Sequence, residues 1–374
     1  MAKPDVFLGV LVGRRNANRR PYHEQTTFFR RLINEGKDIG VSVFIFAPYQ
    51  VHWKRRKIRG WTWTGSRWVQ KVYPFPHAVY DRVSPRMISD WRGIVAARRL
   101  FAKKRIPLFN TRIGSKWKLH KAFAKNPVLA NALPHTRILT TATLAAMIRQ
   151  YGEVYIKPAS GGQGKGVSWV KKVKGGYIYR KNGLRGRRSG KVQSIAAVRS
   201  ICRVPGRVML VQQAIHILPY QNRVFDVRAL VQRREDGQWA LTGMVARLGA
   251  KHRKVSNIHA GGRAVPLDAI LVESGASPDQ VEAVKERIRA IALAAAETVA
   301  QTARHVGELG IDVAIDTDYR CWLIEANSRT GRISFHRAGL VEEAKLADQG
   351  PAAYARFLAG KGLSPASARG HTMT

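Results

Sequence analysis

A carboxylate and an amide close the apolar segment CWLIEAN, residues 321–327. Glu325 and Asn327 are two residues apart, so in a β-strand their side chains lie on one face. Asp312 belongs to the preceding apolar segment, and a hairpin can bring its carboxylate alongside. Two carboxylates and an amide supply the oxygen ligands that Mg²⁺ prefers, usually together with phosphate and water. The spacing therefore predicts a divalent-cation site on this strand pair.

A second interpretation of Glu325 stays open at this stage. Burying an unpaired carboxylate is costly, so a strand that ends in one needs a partner for it. A bound cation is one partner, and an arginine such as Arg329 or Arg332 is another.

A glycine-rich segment, KPASGGQGKGV, follows a predicted strand that ends in Lys157. It is not a P-loop, because no Gly-Lys-Ser/Thr opens a helix, and the residues after Gly166 alternate as in a strand. A loop of this kind can cover phosphate groups, because glycine lets backbone N–H groups approach closely. Lys157 would add a compact cation. An ordinary glycine-rich hairpin is the alternative.

Further charged and polar residues lie between these two segments. Asp226 and Arg228 share one face of the predicted strand FDVRALV, Arg247 lies in VARLG, and Asn257 precedes a Gly pair. An arginine near a metal could hold a transferred phosphoryl group or an oxyanion. Simple surface charge is the alternative for each arginine in so basic a chain.

The elements that would position these residues can be traced along the chain. Strand and helix patterns alternate over roughly the first 110 residues, which predicts an open α/β unit. Further on, a hairpin is expected to turn at Asp236-Gly237. A long helix is expected to follow Ser277, which can cap it together with Gln280.

Composition sets broad limits. The chain has 374 residues, enough for two or three packed units, and 65 Lys plus Arg against 24 Asp plus Glu give a net charge of +41. This charge favours a polyanionic partner, which could be nucleic acid, an anionic polymer or an acidic protein. Cys202 and Cys321 form no disulfide or zinc pattern, which favours a reducing, cytoplasmic location. No signal peptide or membrane-spanning run is expected.

Eight segments, each weak alone, occur in an order that resembles the ATP-grasp superfamily, and specifically the spore-coat-associated YheC/YheD family. The resemblance covers about residues 110–340, and PHAVYDRVSPR is similar to that family's N-terminal signature. The eight segments are FNTRIGSKW, LPHT, VYIKPASGGQGKGV, LVQQAI, FDVRALV, GMVARLG, VSNIHAGGRA and GIDVAIDTDYRCWLIEANSRTGR.

The resemblance implies a fold of the α/β (α+β ATP-grasp) class. It implies an N-terminal α/β, or pre-ATP-grasp, domain over residues 1–110 and an ATP-grasp domain over 111–340. Two subdomains would clamp the nucleotide, with the lid at about 140–208, and a C-terminal helix and frayed tail would occupy 341–374.

The related ribosomal-protein glutamate ligases imply a role for each matching position. Residues that would bind the nucleotide are Lys116 and Lys157 at its phosphates, Gly162, Gln163, Gly164 and Gly166 in the lid, Gln213 and Ala214 in the adenine hinge, and Asp226. Residues that would act at the reacting groups are Arg228 and Arg247 near the acyl phosphate and Asn257 near the γ-phosphate. The metal ligands would be Asp312, Glu325 and Asn327. One departure is Gln213, where the hinge commonly has Glu.

The implied function is an ATP- and Mg²⁺-dependent ligase, with Mn²⁺ as a possible substitute. It would activate an unidentified carboxylate as an acyl phosphate for an amine, thiol or other nucleophile, and the acceptor could be an acidic peptide or anionic polymer. A spore-coat nucleotide-binding protein without turnover is the alternative. Nucleic-acid binding through the basic runs at 54–57 and 185–188 ranks last, because these runs match no recognition motif.

Overall fold

The computed structural model describes residues 6–15, 20–84, 90–161, 165–183, 186–249, 262–303 and 305–360. These residues form three β-sheets with helices packed against them. The mixed α/β composition confirms the predicted fold class. The predicted domain boundaries stay a prediction.

The first sheet has seven strands, in the order β3-β4-β2-β1-β6-β7, with β5 paired to β4. Its strands β1, β2, β6 and β7 are parallel, whereas β3, β4 and β5 are antiparallel additions. This matches the open α/β unit expected from the alternating sequence pattern. The strands are β1 (Val6–Leu11), β2 (Val41–Phe46), β3 (Val51–His52), β4 (Lys57–Trp63), β5 (Trp68–Pro74), β6 (Ala78–Asp81) and β7 (Leu108–Phe109).

Two helices accompany this sheet, α1 (Thr26–Asp38) and α2 (Trp91–Lys103). The side chain of Asp90 accepts a hydrogen bond from the N–H of Gly93 and so caps α2. Next come α3 (Lys116–Phe123) and the short α4 (Pro127–Ala130), which lead into the second sheet.

The second sheet is antiparallel, with six strands in the order β12-β11-β10-β9-β13-β8. Helices α5 (Thr141–Tyr151) and α6 (Ile195–Cys202) bury their apolar side chains against it. Strands β8 and β12 and helix α5 were not predicted from the sequence. The strands are β8 (Thr136–Ile138), β9 (Glu153–Pro158), β10 (Val167–Val173), β11 (Gly176–Gly183), β12 (Gly186–Val192) and β13 (Met209–Gln213).

The third sheet is also antiparallel, in the order β16-β15-β14-β17-β18. The hairpin between β14 and β15 turns at Asp236-Gly237, as predicted. The strands are β14 (Phe225–Arg233), β15 (Trp239–Leu248), β16 (Arg263–Val265), β17 (Glu308–Ile315) and β18 (Cys321–Asn327). The remaining helices are α7 (Leu267–Glu273), α8 (Pro278–Thr302), α9 (Ile333–Arg337) and α10 (Val341–Gly360).

Helices cover both faces of the third sheet. The long helix α8 buries apolar residues on one face, and the predicted capping box of Ser277 and Gln280 is present at its start. The opposite face packs against α9 and the first half of α10. The second half of α10 packs into the core of the first sheet through Ala352, Tyr354 and Leu358. Helix α10 therefore joins the third sheet to the first. None of the helices in the described ranges is both long and apolar enough to cross a membrane.

Buried polar contacts fix the first sheet to the third. The side-chain oxygen of Asn110 accepts hydrogen bonds from the N–H groups of Gly307 and Glu308, and its amide donates to the carbonyl of Ser328. The carboxylate of Glu308 contacts Tyr80, at the end of β6, and Arg332. These contacts hold the end of β18, and therefore Glu325 and Asn327, against the N-terminal unit.

Candidate active site

A cleft between the second and third sheets is lined by four of the nine predicted nucleotide-binding residues. Its narrower part has a volume of about 220 Å³. The predicted residues that line it are Lys116, Lys157, Gln213, Asp226 and Glu325. Residues in its wall that the sequence reasoning missed include Tyr155, Gln212, Ile215, Ile217, Phe225 and Ile324.

The cleft opens into a larger cavity of about 960 Å³. The two spaces share the same polar boundary, made by Lys116, Lys157, Gln212 and Glu325. Asn327 lines only the larger space, together with residues of the N-terminal unit such as Ser84. A nucleotide in the narrow part would therefore direct its phosphates toward a space large enough for a second substrate.

Two lysines from separate elements meet at this boundary. Lys116 opens α3, and its backbone N–H donates to the carbonyl of Ala159 over 2.9 Å, which fixes the start of the helix beside the end of β9. Its ammonium group contacts the carboxylate of Glu325. The partner of Glu325 is thus neither Arg329 nor Arg332, the two arginines considered from the sequence.

Lys157 has no carboxylate partner among the described residues. Its ammonium group donates to Gln212 Oε1 over 2.8 Å, and Gln212 in turn donates to Thr136 Oγ1 over 2.8 Å. Burial and, to a smaller extent, the nearby charge of Lys116 lower the pKa of Lys157 to about 8, against an opposing effect of Glu325. A desolvated ammonium group with only a neutral partner is well suited to bind an anion.

A β-bulge shapes the wall that carries Glu325. Asp312 pairs with Glu325 and Val313 pairs with Leu323, so Ile324 is the extra residue. A bulge places two consecutive residues on the same side of a strand. Ile324 and Glu325 accordingly both line the cleft, one offering an apolar surface and the other a carboxylate.

Asp312 lies deeper, in a cluster of ion pairs across β14, β15 and β17. Arg228 donates to its two oxygens over 2.6 and 3.3 Å, and Arg247 Nη2 lies 3.1 Å from Oδ1. Arg247 also donates to Asp226 Oδ1 over 2.7 Å. Burial acts to raise the pKa of Asp312, but the charges of Arg228 and Arg247 lower it more strongly. The pKa of Asp312 therefore lies below its usual range, and the carboxyl is ionised. Two arginines and two aspartates balance each other here.

The predicted metal ligands are close together, but they face different surroundings. Asn327 Nδ2 donates to Asp312 Oδ2 over 3.2 Å, which leaves its carbonyl oxygen for another partner. Glu325 and Asn327 line the cavity, whereas both oxygens of Asp312 are held by neighbours. In the described part of the chain no three His, Cys, Asp or Glu side chains are grouped to hold a metal ion. The metal assignment stays a prediction, for which Glu325 and Asn327 offer the more accessible oxygens.

The hinge and the glycine loop are described in part. Gln213 Oε1 accepts a hydrogen bond from the N–H of His135 over 3.2 Å, so the side chain is occupied by the backbone of a neighbouring segment. Ala214 is buried beside it. Gly166 has φ = +78°, and its N–H donates to the carbonyl of Asn182 over 2.7 Å. The predicted residues Gly162, Gln163, Gly164 and Asn257 lie outside the described residues.

The sheets and the cleft between them define an ATP-grasp fold. The solved structure of D-cycloserine synthetase DcsG matches with a TM-score of 0.51 at 12% sequence identity, over 92% of this chain and 99% of that one. At such low identity the likeness concerns the fold alone. The sequence model of the YheC/D-like ATP-grasp family matches residues 105–358, and the chain belongs to that family. The resemblance to the ATP-grasp superfamily and the resemblance to the YheC/YheD family are thus both confirmed.

Two proteins of Bacillus subtilis (strain 168) are similar to this chain over most of its length. The endospore coat-associated protein YheD is 27% identical over 370 residues, which cover 96% of this chain and 81% of YheD. The endospore coat-associated protein YheC is 19% identical over 343 residues, which cover 86% of this chain and 90% of YheC.

Proposed function

We propose that the protein is an ATP- and Mg²⁺-dependent ligase that activates a carboxylate as an acyl phosphate. The observation that carries the proposal is Lys157, a desolvated lysine whose only described side-chain partner is the neutral Gln212. The triphosphate of ATP would supply the missing anion at the point where the narrow cleft meets the larger cavity. ATP-grasp membership and the five predicted residues in the cleft wall support the same assignment.

The proposed reaction has two steps. A substrate carboxylate oxygen attacks the γ-phosphorus of ATP, the bond to the β-phosphate oxygen breaks, and ADP leaves with that electron pair. An amine, thiol or other nucleophile then attacks the acyl carbon, releases inorganic phosphate and loses its proton to solvent. Neither step needs a side-chain nucleophile, so the protein positions the reactants and neutralises charge.

The chain's own residues divide this work by location. Lys116 and Lys157 would bind phosphate oxygens, and the hinge at Gln213 and Ala214 would meet the adenine. Arg228 and Arg247 would lie beneath the reacting phosphoryl group, where Asp226 and Asp312 balance their charges and hold them in place. Glu325 and Asn327, with Asp312 behind them, offer oxygen donors that fit Mg²⁺, which would neutralise phosphate charge when bound. Mn²⁺ accepts the same kind of donors.

The charge of +41 supports an acidic acceptor, such as a Glu-rich peptide or an anionic polymer. The names of YheD and YheC support a spore-coat association of this protein. They also keep open a second function, a coat-associated nucleotide-binding protein without turnover.

Trapping with hydroxylamine tests the proposal without knowledge of the natural acceptor, because hydroxylamine converts an acyl phosphate to a stable hydroxamate. We would screen amino acids, dicarboxylates and acidic peptides for ADP release and hydroxamate formation, each with and without Mg²⁺. The expected result is Mg²⁺-dependent release of ADP with an equal amount of hydroxamate for at least one class of carboxylate.

Matched variants make the screen decisive. Glu325→Gln should lower the rate on the order of a hundredfold or more, because it removes a charged oxygen ligand at the phosphates. Glu286→Gln removes an exposed carboxylate on α8 and should leave the rate unchanged. Binding of MgATP without hydroxamate from any carboxylate would support the non-catalytic alternative, and no binding of MgATP would refute both.

A further inference from the structure

Part of the wall of the larger cavity, outside the nucleotide cleft, is formed jointly by the N-terminal unit and the ATP-grasp unit. Glu24 and Ser84 contribute from the first unit, Arg112 lies before α3, and Arg329 follows β18. None of these four side chains lines the narrow nucleotide cleft. These four side chains would therefore contact a ligand in the larger cavity and not the nucleotide in the narrow cleft.

Arginines outnumber carboxylates behind this wall. Arg98 donates to Asp81 Oδ2 over 2.7 Å, and Arg329 Nη2 lies 3.9 Å from Oδ1 of the same carboxylate. Asp81 is fully buried, so one enclosed carboxylate serves two guanidinium groups. Behind it, Arg82 and Arg332 likewise share the buried carboxylate of Glu308.

Arg112 adds a fifth guanidinium group, and it has no ion pair with any residue that the structure describes. Its guanidinium lies 5.8 Å from the ring centroid of Trp91, and that of Arg98 lies 5.4 Å from the same ring. The indole thus supports two cations beside the cavity without neutralising either. Glu24 is an acidic side chain in this wall, and it already takes part in an interaction of its own.

Positive charge is in excess around Arg329. Its side chain is 32% exposed, so it is half-buried where it meets the cavity. Arg329 shares the carboxylate of Asp81 with Arg98, and the described part of the chain gives it no carboxylate of its own, so two like charges repel each other beside one opposite charge. A ligand oxyanion would reduce this repulsion and form charge-assisted hydrogen bonds.

We propose that Arg112 and Arg329 form a subsite for an oxyanion on the carboxylate substrate, so that the substrate carries two acidic groups. This inference rests on the ligase function proposed above and adds the class of its substrate. One acidic group would react beside Lys116 and Asn327, and the second, a carboxylate or a phosphate, would bind the arginine pair.

The chain sets the scale of such a substrate. Arg329 is two residues beyond Asn327, so their Cα atoms are at most about 7 Å apart. A short diacid, or the C-terminal acidic residue of a peptide with its side-chain carboxylate and α-carboxylate, spans a distance of this order. The acidic acceptor suggested by the net charge is a separate molecule and is not required by this inference.

Equilibrium binding with three small probes tests the subsite. Glutarate carries two carboxylates, 3-phosphonopropionate carries a carboxylate and a phosphonate, and butyrate carries one carboxylate. We expect at least one of the two diacids to bind at least about tenfold more tightly than butyrate in titration calorimetry at constant ionic strength. Tighter binding of glutarate would assign a second carboxylate, and tighter binding of 3-phosphonopropionate would assign a phosphate.

Variants locate that preference in the structure. Arg112→Gln and Arg329→Gln should each reduce the diacid preference by about tenfold. Arg99→Gln is the matched control, since Arg99 is exposed on α2 next to Arg98 and does not line the cavity, and it should keep the full preference. Arg329→Lys retains the charge beside Asp81 and should retain part of the preference, which guards against simple loss of folding.

The inference fails if both diacids bind no better than butyrate, or if Arg112→Gln and Arg329→Gln both keep the wild-type preference. Failure of the ligase proposal is seen separately, because the probes can be titrated without nucleotide. Absent MgATP binding would remove the ligase function, whereas intact MgATP binding without a diacid preference would remove only the subsite. Melting curves of each variant confirm that the folded protein is being measured.

Discussion

Two groups of charges differ in how they are balanced, one within the third sheet and one at the boundary between the second and third sheets. In the ion-pair cluster of β14, β15 and β17, Arg228 and Arg247 are matched by Asp226 and Asp312. At the cleft boundary, Lys116 and Lys157 face the single carboxylate of Glu325. The first group is complete without a ligand, whereas the second has one cation in excess.

The difference separates a structural role from a binding role. Buried charges that satisfy each other stabilise a particular register of strands, and removing one partner is costly. A desolvated charge without an opposite charge destabilises the ligand-free protein, and binding of an anion stabilises the folded state. The predictions below test this distinction in order of expected effect.

The largest effect is expected for Asp312→Asn, which leaves Arg228 and Arg247 without the carboxylate between them. We expect the free energy of unfolding to fall by about 3–5 kcal/mol, measured by urea denaturation. Asp236→Asn in the exposed hairpin turn is the control and should stay near the wild type. A stable Asp312→Asn protein that has lost only its Mg²⁺ requirement would show that Asp312 is a metal ligand and not part of a structural ion pair.

The opposite sign is expected for Lys157→Met. The substitution removes a desolvated ammonium group, so the free energy of unfolding should be unchanged or higher in the absence of ligand. The affinity for MgATP should fall about tenfold to a hundredfold, because a charge-assisted contact to phosphate is lost. Lys172→Met, at an exposed position of β10, should change neither quantity. A marked loss of stability in Lys157→Met would contradict the distinction between the two groups.

The pKa of Lys157 gives the comparison a pH dependence. Because its pKa is lowered to about 8 in the folded protein, the unfolded chain holds this proton more tightly. This lysine therefore adds to stability as the pH rises from about 8 toward the ordinary lysine value of about 10.4. Phosphate binding would restore the charge, so MgATP should bind with uptake of about half a proton near pH 8.

Calorimetry in two buffers of different ionisation enthalpy measures this uptake. Raising the pH above 8 should weaken MgATP binding, and lowering it by about two units should abolish the uptake. Lys157→Arg keeps its charge at every working pH and serves as the control. Equal uptake by wild type and Lys157→Arg would assign the proton to another group.

The sequence was sufficient where the chemistry depends on local periodicity. The two-residue period of a strand placed Glu325 and Asn327 on one face, and the short turn before Cys321 placed Asp312 opposite Glu325. Glycine and lysine in the segment 157–167 gave the position of Lys157 at the end of β9. These inferences require only the geometry of one strand or one hairpin.

Other features depend on contacts that no local pattern contains. The extra residue Ile324 arises from the register between β17 and β18, and the pairing of Arg228 with Asp312 joins strands far apart in the sequence. Gln212 was not predicted as a site residue, because its role is to accept a hydrogen bond from Lys157 in a neighbouring strand. Strand β12 was missed because its glycines and arginines show no apolar alternation.

The smallest effect is expected at the adenine hinge, where this chain has Gln213 in place of the more common Glu. The side-chain oxygen of Gln213 accepts a hydrogen bond from the N–H of His135, and a glutamate oxygen can accept the same bond. Gln213→Glu should therefore change the free energy of unfolding by less than about 0.5 kcal/mol and the MgATP affinity by less than about threefold. Gln213→Ala, which loses the acceptor, should be less stable by about 1 kcal/mol. A tenfold loss of MgATP affinity in Gln213→Glu with unchanged stability would show that the added charge repels the nucleotide, and that the excess of positive charge at the lysines does not extend to the hinge.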